Sequence, residues 1–415
     1  MRSQAELGNE GADEGVADKA ENIQPTRLAA KAESIQSTKP AAKAATRLSQ
    51  SELLTTILNA FQGDFCPVPR RIGYRLGIVL VSFAMILLPL FYLGLIGGVG
   101  YLIYLHARYD LAALKSTRSV YAIVFLYGGP IFAGLILLFF MIKPLLAGSP
   151  KLARVRVLEP DKEPTLFAFV SRIAQTVGAP EPKQIQVDCE VNASASFGTG
   201  FTGLFGRNLV LTIGMPLVGG FSTEQLAGVL AHELGHFSQG AGMRFSYVIR
   251  AINHWLVRVV YERDEWDEGL VRYSEEESRL APIFWLALLG IFISRVILWV
   301  FMALGHVISC FLLRHMEYDA DAYEARLVGS EVFEATFRRM ATLEVAANAA
   351  HAQAVVSWSK EQLPDDIPGL ILFHNNRIPP KLSRLIDKDL KKTKTGFFDT
   401  HPCFRDRLAN VRNEV

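Results

Sequence analysis

The sequence predicts an α+β domain with a small β-sheet, fused to a transmembrane helical bundle. Two observations carry this prediction: long apolar runs without charge, and a middle segment in which helical and strand patterns alternate. Half of the 415 residues are hydrophobic, and the mean hydropathy is positive. That average is high for a soluble chain, whose helices need polar faces toward water.

The N-terminal 50 residues are predicted to form a disordered tail. Ala, Lys, Glu, Gln and Ser dominate them, and a weak duplication starts at Ile23 and again at Ile35. Such a segment buries too little apolar surface to offset the entropy of ordering it. It also lacks the apolar core and cleavage site of a secretory signal. A tethering role is the alternative to a plain solvated tail.

Two transmembrane helices are predicted within residues 70–148. No charged residue occurs from Leu76 to Leu105, and none occurs from Ser119 to Ile142. About 20 helical residues cross the hydrocarbon core of a bilayer, so both runs are long enough. The alternative, a pair of helices buried in a large soluble core, is weaker because neither run has a polar face.

Residues 150–240 have the pattern of a soluble α/β segment. Apolar residues recur at helical spacing over Glu163–Val177, and Gly178 ends that helix. Strands are predicted over Gln184–Val191 and Asn208–Gly214. The glycine-rich stretch between the two strands predicts a hairpin or an adjacent pair.

The strongest chemical signal is HELGH, at the end of a predicted helix. Ser222 and Gln225 form a capping box at its start. His232 and His236 are one turn apart, so both imidazoles can reach one zinc ion at about 2.0–2.1 Å. Glu233 lies beside that ion, where it can accept a proton from the attacking water and protonate the leaving amine. A chance HExxH in a chain of this composition has a probability of about 1%.

A third protein ligand is expected, because a catalytic zinc usually has three and leaves one position for water. Glu317 is the best candidate, in the helix-forming stretch MEYDADAYEAR. Asp321 falls on the same helical face, where it can accept the free ring N–H of a histidine ligand. The alternative interpretation makes both of them surface carboxylates beside Arg314 and Arg326.

These motifs together resemble the HtpX-type membrane metallopeptidases, whose eukaryotic cousin is the CAAX prenyl protease. The resemblance rests on HELGH followed about 80 residues later by EYDAD, from Glu317 to Asp321. Three further stretches fit: AQTVGAPEPKQIQV from Ala174, Asn192-Ala193-Ser194-Ala195, and Thr400-His401-Pro402 with Arg407. The resemblance covers roughly residues 70–415.

The resemblance implies a zincin-like metallopeptidase fold with one Zn²⁺ per chain. Its metal ligands would be His232, His236 and Glu317, with Glu233 as the general base. Asp321 would lie behind a histidine ligand and hold its ring in place.

The resemblance also implies how substrate is held. Its backbone would lie along an edge strand that contains Asn192, Ala193, Ser194 and Ala195. His401 would stabilise the oxyanion or occupy a fourth coordination position in a resting form. Arg407 would position substrate or brace the loop of His401. The alternative for His401 and Arg407 is a purely structural role in capping and pairing.

The chain between the HELGH helix and Glu317 must return to one side of the membrane, because both bind the same ion. Residues 241–313 contain two apolar segments, Phe245–Tyr261 and Leu280–Leu313. We expect a membrane-associated helical hairpin packed against the first two spans, with true crossings as the alternative. Three polar side chains would then face protein rather than lipid: His254, Arg295 and His306. Residues 314–415 complete the catalytic domain.

The sequence thus predicts a membrane-bound zinc-dependent endopeptidase, and the resemblance suggests a role in membrane protein quality control. Polypeptides, membrane proteins above all, would be its substrates, and the lipid bilayer its second partner. Lys and Arg counts beside the spans slightly favour a cytoplasmic catalytic domain in a multi-pass inner-membrane protein. The net charge of +2 gives no reason to expect nucleic acid. The oligomeric state stays open.

Three other functions compete with this interpretation. A CAAX-type or signal-remnant processing peptidase would use the same chemistry on a defined substrate. A non-catalytic zinc-containing scaffold or chaperone needs no general base, so Glu233 argues against it. A transporter is weaker still, because the spans lack paired polar residues near their centres.

Four scattered cysteines show neither disulfide nor metal spacing: Cys66, Cys189, Cys310 and Cys403.

Overall fold

A computed structural model describes residues 49–61, 65–66, 68, 72–114, 119–146, 155–197, 208–238, 241–262, 269 and 281–414. The predicted disordered tail lies outside these residues except for its last two positions. The glycine-rich stretch before the last predicted strand also lies outside them.

The catalytic part contains a small sheet and the membrane part is helical. The strands are β1 (Arg156–Val157), β2 (Gln184–Asp188), β3 (Ala193–Phe197) and β4 (Leu209–Gly214). The helices are α1 (Gln50–Leu58), α2 (Ile72–Leu114), α3 (Gly129–Leu146), α4 (Pro164–Val177), α5 (Met215–Gly220), α6 (Thr223–Gly235), α7 (Ala241–Tyr261), α8 (Ala281–Trp358), α9 (Ile367–Asn375), α10 (Pro380–Lys392) and α11 (Phe404–Glu414). A helical turn, Val120–Ala122, and a π-helix, Ile123–Gly128, precede α3.

The sheet is mixed, with the order β1-β2-β4-β3. β2 and β4 are parallel neighbours, as the predicted adjacency requires, while β3 pairs antiparallel with β4. The predicted first strand ran to Val191, but β2 ends at Asp188 because the Asp188 Oδ1 accepts the Glu190 N–H at 3.1 Å and turns the chain. β3 therefore lies at an edge of the described sheet.

The hydrophobic core of the catalytic part lies between the sheet, α4 and α6. Side chains of β4 alternate in burial, and Leu209, Leu211 and Ile213 are fully buried against these helices. The predicted helix end at Gly178 is confirmed, because this residue adopts a left-handed φ of 70° that suits glycine. These contacts hold α6 firmly over the sheet.

The membrane part is a bundle of α2, α3, α7 and α8 around a second hydrophobic core. Three of the described helices are long and apolar enough to cross a bilayer, over Leu76–Asp110, Ile123–Leu146 and Ile283–Trp358. The first two include most of the two predicted spans. α7 packs between α2 and α8 as the predicted hairpin requires, and whether it crosses the membrane stays a prediction.

The long helix α8 joins the membrane part to the catalytic part. The predicted boundary at residues 313–314 lies inside this helix, because the charged sequence that follows is also helix-forming. Its backbone leaves helical geometry at Gly329, where φ is 83°. At 1.5 Å per residue, about 70 Å of helix precedes this break.

The three polar side chains expected to face protein behave differently from one another. His306 is half-buried and its Nε2 lies 2.5 Å from the Phe398 carbonyl oxygen. Arg295 is also half-buried, and its Nη2 donates to the Glu262 carbonyl at 3.1 Å. The prediction is wrong for His254, which is exposed because its position on α7 points away from α2 and α8.

Candidate active site

The predicted capping box starts the helix that carries HELGH. The Ser222 hydroxyl accepts the Gln225 N–H at 3.2 Å, and the Gln225 side chain accepts the Ser222 N–H at 3.0 Å. This reciprocal pair satisfies two donors that the first turn would otherwise leave free. α6 therefore starts at Thr223, and His232 falls in its last turn.

Two glycines let this helix lie close to α8. A Cβ on Gly235 would lie 3.0 Å from the Tyr323 Cβ, and one on Gly228 would lie 3.0 Å from a Glu324 oxygen. Both positions are three or four residues from His232, so they share its helical face. The close approach brings His232 within reach of the carboxylates of α8.

Three donor groups converge between α6 and α8. The His232 Nε2 lies 3.6 Å from one oxygen of Glu317, and the His236 Nε2 lies 3.7 Å from the other. One ligand atom from each of these three residues can be chosen so that all lie within 4.8 Å of one another. The structure thus brings together three side chains that are up to 85 positions apart in sequence.

The donor set fits a zinc ion. Two ligands at about 2.0–2.1 Å from a tetrahedral zinc lie about 3.4 Å apart, close to both nitrogen–oxygen distances in this cluster. Two imidazole nitrogens and one carboxylate are ligands that zinc accepts, and they leave a fourth position for water. Glu317 is only 4% exposed, so its carboxylate requires positively charged partners.

A buried ion pair lies behind His232. The Asp321 Oδ1 is 3.1 Å from the His232 Nδ1, on the far side of the ring from Glu317. Arg407 donates to both oxygens of Asp321, through its Nε at 2.8 Å and through its Nη2. Asp321 is fully buried, so the alternative of a surface carboxylate is wrong. Arg326 pairs with Glu414 instead, at 2.8 Å.

Burial and the neighbouring charges set opposite protonation states for the two histidines of the metal-free protein. Burial lowers the pKa of His232, but the neighbouring carboxylates of Asp321 and Glu317 raise it to about 10. Burial lowers the pKa of His236 well below its usual range, and the positive charge of Arg250 adds to this effect. His232 is therefore charged near neutral pH and His236 is not.

Glu233 lies between the metal-binding cluster and the sheet. Burial raises the pKa of its carboxyl, while the positive charge of His232 opposes that rise. A carboxyl with a raised pKa exchanges protons more readily near neutral pH than an ordinary glutamate does.

The outer edge of β3 has no partner strand among the described residues. Ser194 and Ser196 are exposed, whereas Ala193 and Phe197 are buried. The Asn192 carbonyl accepts the Gly214 N–H at 2.8 Å, and a Cβ on Gly214 would lie 1.8 Å from the Glu190 carbonyl oxygen. Glycine at position 214 therefore allows this close approach of the chain at the start of β3.

Two further side chains reach Glu317 from outside the cluster. The His401 Nδ1 lies 3.4 Å from a Glu317 oxygen, and this imidazole is 54% exposed. The Arg250 Nη2 lies 3.2 Å from the other oxygen. Arg250 was not predicted at the site, although an arginine within the apolar segment of α7 requires a polar neighbour.

A buried carboxylate was also missed. Glu324 is 3% exposed and its Oε2 lies 3.9 Å from the His232 Nδ1. It follows Asp321 by three residues on α8, so helical spacing places the two carboxylates on one face. The three-residue spacing between Asp321 and Glu324 is the sequence signal that could have predicted this buried carboxylate.

Comparison with known proteins places the chain in a family. A model of peptidase family M48 matches residues 160–415, the region that contains every predicted site residue. "Protease HtpX" of Haemophilus influenzae (strain PittEE) is 26% identical over 230 residues, which cover 55% of this chain and 76% of the relative. No solved structure matches the chain.

Two other relatives agree. "Protease HtpX" of Glaesserella parasuis serovar 5 (strain SH0165) is 24% identical over 305 residues, covering 72% of this chain and 89% of the relative. "Protease HtpX" of Escherichia coli (strain K12 / DH10B) is 25% identical over 190 residues, covering 45% and 59%. The family match spans well over half of the chain. The chain therefore belongs to peptidase family M48, as a membrane metallopeptidase of the HtpX type.

Proposed function

We propose that this chain is a membrane-bound, zinc-dependent endopeptidase that hydrolyses peptide bonds. The observation that carries the proposal is the convergence of His232, His236 and Glu317 beside the carboxyl of Glu233. When bound there, one zinc ion per chain would polarise the scissile carbonyl and acidify a water molecule. A purely structural site would have no use for Glu233.

Glu233 is the proposed general base and acid. Its carboxylate takes a proton from the attacking water, and its carboxyl then gives that proton to the departing amine nitrogen. Burial raises the pKa of Glu233, and a raised pKa suits both the acceptance of the proton from water and its later donation to the amine. Asp321 and Arg407 keep the His232 ring oriented, because the ion pair behind it is buried and has two hydrogen bonds.

Substrate is proposed to bind in extended form along β3. Backbone groups of Asn192, Ala193, Ser194 and Ala195 would pair with it as an added strand. The backbone of Ala195 on this strand is one of the groups that influence the pKa of Glu233, so the strand runs near the proposed base. His401 is exposed and close to Glu317, so it is positioned to stabilise the oxyanion or to complete a resting coordination sphere.

The proposed biological role is membrane protein quality control. Recognition through backbone pairing places few demands on substrate side chains, so cleavage at many sequences is expected. The protein would be a multi-pass inner-membrane enzyme with a cytoplasmic catalytic domain. Mapping the products from an unfolded membrane protein tests this role, since a processing peptidase would release one defined product instead.

The decisive experiment compares metal content with peptide hydrolysis in the full-length protein. Glu233→Gln should keep one zinc per chain and lose about 10²–10⁴-fold in turnover, because only proton transfer is removed. Glu317→Ala should lose the metal itself. Glu224→Gln is the matched control, since Glu224 is exposed on the same helix. Unchanged turnover in Glu233→Gln would refute the proposed mechanism.

A further inference from the structure

A tight turn that carries two exposed aromatic side chains precedes His401. The Asp399 N–H donates to the Gly396 carbonyl at 3.3 Å, and the Asp399 carboxylate accepts the Gly396 N–H at 2.6 Å. The central residues Phe397 and Phe398 are 66% and 51% exposed. Central turn positions favour Pro, Asn, Asp and Gly, so turn propensity does not account for two phenylalanines. We call Gly396–Asp399 the aromatic turn.

The aromatic turn is fastened to α8 where the apolar part of that helix ends. Arg314, the residue that ends the apolar run, donates to the Phe397 carbonyl at 2.7 Å. The Phe397 ring packs edge-on against Phe311, with ring centroids 5.4 Å apart. Phe311 is itself 49% exposed on a helix that is apolar enough to span a bilayer. The turn thus continues the exposed apolar surface of α8 at the end of its apolar run, and bilayer interfaces favour aromatic side chains in such positions.

The chain just before the aromatic turn is basic. It contains four exposed lysines, and none of them has a carboxylate within 4 Å among the described residues: Lys388, Lys391, Lys392 and Lys394. The same stretch contains the carboxylates of Asp389 and Asp399, and Asp399 is engaged within the turn. Lys394 precedes Phe397 by three residues, so their Cα atoms are at most about 11 Å apart. This is close to the Debye length of about 10 Å at 0.1 M salt.

Exposed aromatics beside unpaired lysines are the combination that binds an anionic bilayer surface. We propose that the aromatic turn inserts Phe397 and Phe398 into the headgroup region of an anionic phospholipid leaflet, while the neighbouring lysines bind lipid phosphates. Charge complementarity and continuity with the exposed apolar side of α8 favour this partner over a second protein.

Contact with lipid also bears on the active site. Asp399 is two residues from His401, whose ring lies 3.4 Å from Glu317. A turn held at the bilayer surface limits the positions open to His401, so anionic lipid should raise turnover. This consequence rests on the proposed peptidase function, whereas the lipid contact itself does not.

Photocrosslinking of the full-length protein tests the lipid contact directly. The photoreactive residue p-benzoyl-phenylalanine replaces Phe398 in nanodiscs of phosphatidylcholine alone or mixed equally with phosphatidylglycerol, and mass spectrometry identifies the adducts. We expect phospholipid adducts whose yield is several-fold higher with phosphatidylglycerol. The same probe at Phe83, which is 62% exposed within the first candidate span, should give adducts of equal yield in both lipids.

Several results would overturn the proposal. Adducts at Phe83 without adducts at Phe398 would exclude lipid contact, and crosslinks from Phe398 to another polypeptide would assign the turn to a protein partner. Equal yields from Phe398 in both nanodisc types would exclude recognition of anionic lipid. The triple substitution Lys391→Gln, Lys392→Gln and Lys394→Gln should abolish the preference for phosphatidylglycerol, while Arg at the same positions should retain it.

Peptide hydrolysis in phosphatidylglycerol nanodiscs tests the consequence for His401. Phe397→Ser with Phe398→Ser should lower kcat several-fold, with metal content and thermal unfolding unchanged, while Leu at both positions should retain at least half of kcat. An unaltered kcat in the Ser pair would overturn the link to His401. Should Glu233→Gln retain full activity, the proposed peptidase mechanism fails, yet the adducts still decide whether lipid contacts the turn.

Discussion

The membrane bundle and the catalytic part of this chain are organised in opposite ways. On the bundle, large apolar side chains such as Leu80 and Phe83 are about 60% exposed. In the catalytic part, Leu209 and Leu211 are fully buried and the sheet packs against helices. The same hydrophobic effect produces both arrangements, because lipid is the outer solvent of one part and water that of the other.

Polar side chains inside the two parts also differ. The bundle buries neutral pairs: the Tyr92 hydroxyl donates to the Met141 carbonyl at 2.8 Å, and the Asn253 amide donates to the Ser309 hydroxyl at 2.8 Å. The catalytic part buries charges, with Asp321 held between His232 and Arg407. Fully buried charge among these examples therefore lies at the candidate active site, whereas the two bundle pairs are neutral.

The largest expected effect comes from breaking the buried ion pair. Arg407→Met removes the two hydrogen bonds that the fully buried Asp321 accepts from Arg407 and should cost about 3–5 kcal/mol in the free energy of unfolding. Denaturant unfolding of the detergent-solubilised protein measures it. The control is Arg412→Met, on the same helix, which breaks only a surface pair with Glu334 and should cost at most about 1 kcal/mol. Equal losses of unfolding free energy in Arg407→Met and Arg412→Met would contradict the proposed difference between a buried and a surface ion pair.

The second expected effect is a steep pH dependence of metal binding. In the metal-free protein the pKa of His232 is raised to about 10, and its proton must leave before Nε2 can bind metal. The apparent Kd for zinc should therefore fall about tenfold per pH unit as pH rises toward 10, or about 1.4 kcal/mol per unit. Competition with a chromophoric chelator between pH 7 and 9 measures the slope.

The same raised pKa has the opposite effect on the metal-free protein. Protonated His232 contributes stability that is fully present below pH 6.5 and is lost as pH rises through about 10. Asp321→Asn removes a carboxylate that raises this pKa. In that variant, both zinc affinity and the stability of the metal-free protein should therefore depend less steeply on pH. A zinc affinity that does not change from pH 7 to 9 would exclude a charged His232.

The third prediction compares glycines in the two parts. Gly235→Ala places a Cβ 3.0 Å from Tyr323, so α6 must shift from α8 at a cost of about 1–3 kcal/mol. Zinc affinity should fall as well, because His232 and Glu317 separate. Gly94→Ala in the first span meets nothing within 4 Å and should be neutral or slightly stabilising. Thermal unfolding and zinc titration of both variants measure these effects, and similar outcomes would argue against close packing at the site.

The smallest expected effect lies in the bundle. Tyr92→Phe removes a buried hydroxyl that contacts Met141 and Ser294. Hydrogen bonds between membrane helices are worth about 0.6 kcal/mol on average, so the melting temperature in nanodiscs should change only slightly. A loss of several kcal/mol in the free energy of unfolding would mean that this hydrogen bond of the bundle contributes as much as the buried ion pair of the active site.

Much of the architecture could be predicted because its signals are local. The apolar runs of the first two spans, the capping box at Ser222 and the helix end at Gly178 each depend on residues within a few turns. A predicted boundary was wrong where a side chain bonds to the backbone. The Asp188 carboxylate accepts the Glu190 N–H, and the resulting turn ends β2 earlier than predicted. The change of composition near Arg314 suggested a break, yet α8 continues through it because both sides favour a helix.

By itself, the sequence determined that two histidines and a glutamate would share one helical turn, because helical periodicity is a local property of the backbone. The need for a third ligand and the helical spacing of MEYDADAYEAR pointed to Glu317 and Asp321, and resemblance then suggested His401 and Arg407 as further neighbours. Only the tertiary structure decided that Arg250 also reaches Glu317, that Glu324 lies buried behind His232, and that His401 follows an aromatic turn fastened to α8. These contacts depend on how α6, α7 and α8 pack, and contact between residues tens of positions apart has no periodic signal in the sequence.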